Sequence, residues 1–472
     1  MTPTMKSQPA DRILKTATIA GTSRRRFLAT MAGVAGVAVG GGASRMFASA
    51  DKAATDATAG EILAGTAKVD ITPKEGEAWD ILGKKLEIKD RLYARVLFLK
   101  QQGGASVAIV SVDSIMFASP TVVAVAKEKW GVDHVLLCST HTHSCPMPEG
   151  LIIKPPTGDW TRNVKAPGDF IDWPALSSDP GYAAMEEKII AAIGEASKNL
   201  FPARVIAGQG PFVSAYMAHN RRKVHPDGRV EMMWDNPKRL PTEPIDPTVG
   251  FLRVEDLEGK TRAFLVHYAC HPVGTMGSGI VSRDFPGATV DYIEEQLGKD
   301  CLAFFMQGAS GDLDPYDMNL TGKSGMDLLR QAGISLGKGA LRLSESIPSP
   351  ASSPGSIKVQ KTLLTIPNKV GDISTEVGIS TIVINNQVAL VTVPGEPFIQ
   401  HQLDLREKSP LANSFMLGIS YSGEGSPFVV YIPTVKAAKE GGYGAQECTF
   451  LDPGAGATIV DAAVKSIQEL KN

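Results

Sequence analysis

Cysteine is scarce in this sequence: Cys138, Cys145, Cys270, Cys301 and Cys448 are five in 472 residues, an odd and widely spaced set. That excludes a fold stapled mainly by disulfides, and small buried thiols are the expected role. Cys145 and Cys270 stand beside the histidines discussed below, so thiolate ligation stays open for those two. Net charge is nearly absent as well, −2 from 48 basic and 50 acidic residues. With no basic patch carrying interleaved aromatics, the sequence speaks against nucleic-acid binding and for a small or uncharged molecule as partner. It shows no repeat of fixed period and no low-complexity segment outside the first fifty residues. At 43% hydrophobic residues the chain can bury a large core.

The first fifty residues read separately. Ser23-Arg24-Arg25-Arg26-Phe27-Leu28 precedes an Ala/Gly/Val run from Ala29 to Ala43, and Ala48-Ser49-Ala50 offers small residues for cleavage. This pattern is that of a twin-arginine export signal, which implies a periplasmic or extracellular protein. The run is rich in Gly and Ala and is followed by Arg45, so no stable membrane span is expected after its removal. Residues 51–60 read as a polar linker and 61–472 as the folded domain.

Within that domain Leu63 to Val69, Leu92 to Leu99 and Ser106 to Val112 read as strands, residues 120–130 as a helix with proline in its first turn, and His134 to Cys138 as the next strand. Strand, helix, strand is a βαβ unit. Asp113 and His141 then fall past the carboxyl ends of neighbouring parallel strands, where α/β sheets place their ligands. The pattern recurs with a strand Arg262 to Ala269, a helix from Pro286 through Leu297 and a strand Leu302 to Met306. His271 follows the first of these strands, and Gln307 to Pro315 the second. Residues 146–180 show no period and read as a functional loop or lid, closed by a helix near 181–199. Val377 to Ile384 and Val388 to Val393 flank Asn385-Asn386-Gln387 as a hairpin. Pro394-Gly395-Glu396-Pro397 turns into a helix reaching about Arg406, and an amphipathic helix from about Gly456 to Leu470 ends the chain. The predicted class is α/β, with mixed β-sheets and βαβ units flanked by helices.

Of only eight histidines, His141 and His143 are one residue apart. If they continue a strand, both point to one face and reach one pocket, a metal-and-base geometry; two polar residues in a surface turn are the alternative. Three further segments stand out: Ala269-Cys270-His271-Pro272, Pro394-Gly395-Glu396-Pro397-Phe398, and Tyr431-Ile432-Pro433-Thr434 with Gly441-Gly442-Tyr443.

In this order, and with Gly65 to Pro73, Asp90 to Arg95 and Gly308 to Pro315, these segments resemble the catalytic domain of the neutral/alkaline non-lysosomal ceramidase family. The resemblance runs from about Ala64 to the C-terminus. It implies a fold like that catalytic domain and a Zn²⁺ ion held by His141, His271, Glu396 and Tyr431. It further implies His143 as the group that moves protons, and Arg221, from His219-Asn220-Arg221-Arg222, acting with Tyr443 on the oxyanion. Chemically, imidazole nitrogens and a carboxylate suit zinc, and three firm ligands with a weaker fourth leave room for a water that loses its proton near neutral pH. The residues by themselves leave alternatives: His267 in place of His271, Glu396 as a cap of the helix that follows it, and Tyr431 as a core residue of an apolar run.

Two departures bear on mechanism. Where the ceramidases carry a serine in an Asp-x-Ser-Pro loop, this chain reads Asp312-Leu313-Asp314-Pro315. Zinc-activated water is then the simpler route than a covalent serine. Ceramidases also continue into a C-terminal β-sandwich, not expected here, so a more soluble N-acyl substrate than membrane ceramide is anticipated. The expected activity is that of an exported zinc-dependent amidohydrolase acting on linear amides of N-acyl or lipid-like compounds, by resemblance within sphingolipid metabolism. The alternatives are hydrolysis of an ester or of a sugar-linked bond using Asp312 and Asp314, and a non-catalytic zinc-containing binding protein. The segment Cys145 to about Tyr182, with Trp160, Phe170, Ile171 and Trp173, is expected to wall or cover the pocket.

Overall fold

The computed structural model describes residues 60–78, 85–147, 173–212, 217–350 and 355–471. The expected export signal and all of the linker except Gly60 lie outside these residues, as do residues 148–172 of the anticipated lid, with Trp160, Phe170 and Ile171; the short helix Trp173–Leu176 is described.

The domain opens with three antiparallel strands, β1 (Ile62–Asp70), β2 (Tyr93–Gln101) and β3 (Ser106–Val112). Helix α1 (Pro120–Trp130) starts where Ser119 Oγ accepts from Val122 N–H and a proline opens the first turn, and it stops at Gly131 in the left-handed conformation, φ 66°. β4 (His134–Ser139) returns parallel to β3, completing the first predicted βαβ unit. α2 (Pro180–Lys198), capped by Asp179, leads to β5 (Phe201–Pro211), β6 (Thr248–Glu255) and β7 (Thr261–Tyr268). α3 (Asp284–Leu297) carries the chain to β8 (Leu302–Gln307), parallel to β7, which is the second predicted unit. After α4 (Gly322–Glu345) come β9 (Ile357–Pro367), β10 (Ser374–Ile384), β11 (Val388–Thr392), α5 (Ile399–Lys408), β12 (Asn413–Leu417) and α6 (Ala455–Lys471). The predicted hairpin is β10–β11, its three-residue connection Asn385–Gln387 closed by the Gln387 N–H on Ile384 O, with Asn385 and Asn386 both at positive φ (56° and 53°). β11, α5 and β12 make a third βαβ unit, whose last strand had not been predicted.

The larger sheet runs β8-β7-β6-β5-β1-β2-β3-β4, with the two-residue strand Ser420–Tyr421 on β4. β1 and β5 share only three residue pairs, and past them the sheet folds back, so that Ser111 Oγ on β3 donates to the Phe305 carbonyl on β8 at 2.8 Å. The smaller sheet, β9-β10-β11-β12, supplies a third wall. Inward residues of all three walls, among them Leu97, Ile109, Leu252, Phe304, Leu390 and Phe415, share one apolar core. Helices cover the outsides: α1 and α2 over β1–β4, α3 and α4 over β5–β8, α5 and α6 over the smaller sheet. α4 escapes sequence reading because it is rich in glycine, a poor helix former. Its packing needs glycine: a Cβ on Gly333 would lie 2.5 Å from Ala288 Cβ and 2.6 Å from the Phe285 carbonyl on α3. The fold is thus α/β with mixed sheets and flanking helices, as predicted, and the fold-back brings the ends of β4, β7, β8 and β11 together.

Candidate metal centre

β4 ends at Ser139, and His141 lies in the loop beyond it with φ 70°, an uncommon conformation for a bulky residue that costs about 1–3 kcal/mol. His141 and His143 therefore converge through a turn, and the expected strand pleat plays no part. The turn is over-determined: Thr140 N–H donates to Val112 O and His141 N–H to Ser114 O, each at 2.9 Å, while His143 N–H donates to Pro272 O at 3.2 Å. That last bond ties the His-Thr-His loop to the His271-Pro272 loop. Ile419 and Val430, β-branched residues at φ 49° and 50°, add further strained backbone around the same point.

Each buried imidazole is oriented by carbonyls. His141 Nδ1 lies 2.6 Å from Ile115 O; His271 Nδ1 lies 2.6 Å from Ser310 O and 3.2 Å from Leu313 O. Carbonyls only accept, so both Nδ1 atoms carry the proton, and in the neutral rings both Nε2 atoms present lone pairs. Those lone pairs meet Glu396: its Oε2 is 3.0 Å from His271 Nε2 and 3.5 Å from His141 Nε2. Burial raises the Glu396 carboxyl, and only positive charge on the two histidines would bring it well below the usual carboxylate range. His143 Nε2 is 3.3 Å from His141 Nε2, and the ligating atoms of His141, His143 and His271 lie within 4.8 Å of one another. Burial, followed by His141 and His271, pushes the half-buried His143 well below the ordinary imidazole range. Donor atoms converging in this way could hold a cation among them, and nitrogen with carboxylate oxygen is a donor set that fits zinc.

The Pro-Gly-Glu-Pro loop reaches the centre because the next strand-end loop lets it. A Cβ on Gly311 would stand 2.4 Å from the Glu396 carbonyl, so only glycine fits there. Glu396 does not cap α5: the Ile399 N–H at the helix start donates to Asp312 Oδ1 at 2.8 Å, and Asp312 Oδ2 accepts from Asn220 at 2.7 Å. Asp312, weighed in the sequence as a glycosidic acid, is thereby committed to structure. Parallel pairing of Glu396 with Tyr431 sets that tyrosine beside the centre, its ring 6.3 Å from the His271 ring. Burial, with the Glu396 charge, pushes its phenol well above the ordinary value, and Arg221 opposes that shift.

Arg221 is buried next to these groups. Its Nη1 donates to Asp314 Oδ1 at 3.2 Å and its Nη2 to Gly311 O at 2.7 Å, and its guanidinium lies 5.2 Å from the rings of both Tyr431 and Tyr443 and 5.5 Å from that of Trp234. Tyr443 is half-buried, with Cys448 Sγ 3.6 Å from its hydroxyl. All seven residues singled out in the sequence (His141, His143, Arg221, His271, Glu396, Tyr431 and Tyr443) thus lie in one connected group. His267, the alternative to His271, does not: it faces the smaller sheet, bonds Met416 O through Nε2 at 2.8 Å, and burial pushes it down to about 4. Cys145 Sγ donates to Thr142 O and Cys270 Sγ to His271 O; burial pushes the Cys145 thiol up to about 12 and that of Cys270 well above its usual value. Neither thiol belongs to the group of converging donor atoms formed by His141, His143 and His271. Sequence reading missed the Arg221–Asp314 pair and Trp234. Two carboxylates at a strand end were a signal for the first, whereas no periodicity marks the second.

No protein-family model and no curated protein matches this sequence. Solved structures do resemble it. A neutral ceramidase from Pseudomonas aeruginosa aligns with TM-score 0.65 and 17% identity over 87% of this chain and 75% of that one. A ceramidase complexed with C2 aligns with TM-score 0.66 and 16% identity over 87% of this chain and 76% of the other. At such identities the likeness concerns architecture, and the architecture of this chain is ceramidase-like.

Proposed function

We propose that the chain is an exported, zinc-dependent hydrolase that cleaves the amide bond of a linear N-acyl compound. The observation that carries this reading is the convergence of two carbonyl-oriented imidazoles on one buried carboxylate, His141 and His271 on Glu396. In it His141, His271, Glu396 and Tyr431 hold zinc, which when bound would polarise a carbonyl and lower the pKa of a water. His143 accepts a proton from the attacking water and returns it to the leaving nitrogen. Tyr443 meets the carbonyl oxygen with its hydroxyl, and Arg221 holds both tyrosines from behind. The ceramidase-like fold supports a hydrolase and a lipid-like or otherwise apolar acyl substrate. Among the described residues no helix is long and apolar enough to cross a membrane.

Elemental analysis together with turnover on matched N-acyl amides, esters and glycosides tests the proposal. The expected result is about one zinc per chain and amide cleavage that chelation abolishes and zinc restores. Cleavage of esters or glycosides alone would refute it. One observation favours a second reading: the three histidines group together, and His143 as a fourth firm donor would close the coordination, as in a non-catalytic zinc site. Full zinc retention in His143→Ala with turnover lost supports the enzyme; lost zinc supports the binding protein.

A further inference from the structure

Trp234 is 44% exposed, and among the described residues it is the one aromatic among the large hydrophobic side chains left in solvent. A tryptophan gains much from burial, so an exposed one at the rim of a polar centre is fit to receive an apolar group. It is also part of a series. Its ring meets that of Tyr443 edge-on at 5.4 Å, Tyr443 meets Tyr431 edge-on at 5.4 Å, and Tyr431 lies 6.3 Å from His271. Three rings thus form a continuous wall from solvent to the candidate metal centre.

Arg221 stands behind this wall, its guanidinium 5.2 to 5.5 Å from all three ring centroids. Cation and rings attract one another, which fixes the rings in place. The Met233 N–H donates to Arg221 O at 2.8 Å, pinning the backbone beside Trp234 to the same post. Asp314, buried like Arg221, cancels the guanidinium charge through the 3.2 Å pair. The wall is therefore aromatic along its length, and the charge beside it is paired.

We propose that Trp234 is a specificity-determining residue for the acyl half of the substrate, and that the wall takes an uncharged acyl chain longer than acetyl. This deepens the amidase reading and rests on it. If His143 delivers a proton to the leaving nitrogen, the amine half lies beside His143, whose ring packs on His141 and His271 at 4.7 and 5.6 Å. The acyl half then extends the other way, from the tyrosines toward Trp234.

The test compares kcat/KM for N-octanoyl and N-acetyl derivatives of one amine in the wild type, Trp234→Ala and Trp234→Phe. Trp234→Ala should lower the octanoyl-to-acetyl ratio by about 10-fold or more, the scale of one lost apolar contact in a specificity pocket, and Trp234→Phe should restore most of it. Calorimetric binding of octanoate against acetate to the zinc-loaded protein gives a readout that needs no turnover. Octanoate should bind more tightly to the wild type, and Trp234→Ala should erase that difference. Octanoate binding that depends on Trp234 without any amide turnover would sink the amidase reading and leave the apolar subsite standing. Amide turnover with an octanoyl-to-acetyl ratio and octanoate binding indifferent to Trp234 would overturn the subsite and leave the amidase reading intact.

Discussion

Two buried charged regions lie side by side at the strand ends, and they are finished to different degrees. Around Arg221 the charges are paired: guanidinium faces carboxylate, a carbonyl takes a second N–H and aromatic rings lie alongside, while Arg221 Nε and Asp314 Oδ2 have no hydrogen-bond partner among the described residues. Around Glu396, with the imidazoles neutral, the protein supplies only acceptors, a carboxylate oxygen and imidazole lone pairs 3.0 to 3.5 Å apart. Burying charge is tolerable only when it is paired, so the first region carries its own counter-charge and the second is built to accept one from outside. The contrast separates scaffold from candidate metal centre without reference to any other protein.

Breaking the charge-paired region should do most damage to the fold. Asp314→Ala leaves the Arg221 charge buried and unpaired, and should cost about 3–5 kcal/mol of unfolding free energy in denaturant titration, with zinc content retained. Substantial turnover should persist, because Asp314 stands where the ceramidases have a serine and no covalent step is assigned to it; a labelled adduct on Asp314 or Ser310 would contradict this. Breaking the incomplete region should act on metal first. His141→Ala or His271→Ala should weaken zinc binding beyond the roughly 100-fold typical of losing an outer-shell partner, and elemental analysis of dialysed protein decides it.

His143 sharpens the comparison, since it touches the acceptor cluster but is assigned to proton transfer. His143→Ala should lower kcat by about 10²-fold or more while leaving zinc bound. The smallest expected effect concerns a third buried polar group, His267 between the walls. Its folded-state value of about 4 lies below the ordinary 6.5, so the unfolded chain binds its proton first as pH falls. Stability contributed by the neutral ring is present above pH 6.5 and is lost as pH drops toward 4, by about 1 kcal/mol between pH 7 and 5.5. Thermal melts across that range, wild type against His267→Gln, should show the variant's acid limb flattened by this amount.

Much of the fold was legible in local pattern. The first two βαβ units, the Asn-Asn hairpin and the terminal helix are strong periodic segments bounded by Pro, Gly or Asn, and their predicted limits lie within two residues of the observed ones except at the start of the hairpin's first strand, which begins three residues earlier. β12 and α4 were missed for opposite reasons. β12 is a short run between loops, and α4 is glycine-rich because α3 presses against it, a requirement that local propensity cannot express.

The sequence by itself determined the donor chemistry: two histidines around one threonine, a histidine before a proline and a glutamate between prolines, each past the end of a predicted or bounding strand. It did not determine how they would meet. His141 and His143 converge through a left-handed turn, Asp312 takes the capping role that Glu396 was free to play, and Asp314 neutralises Arg221. Each of these depends on the larger sheet folding back at the three-pair junction of β1 and β5, which sets the loops after β4, β8 and β11 against one another. Hydrogen bonds and charge pairs over such separations are set by where walls cross, and a local pattern of residues carries no record of that crossing.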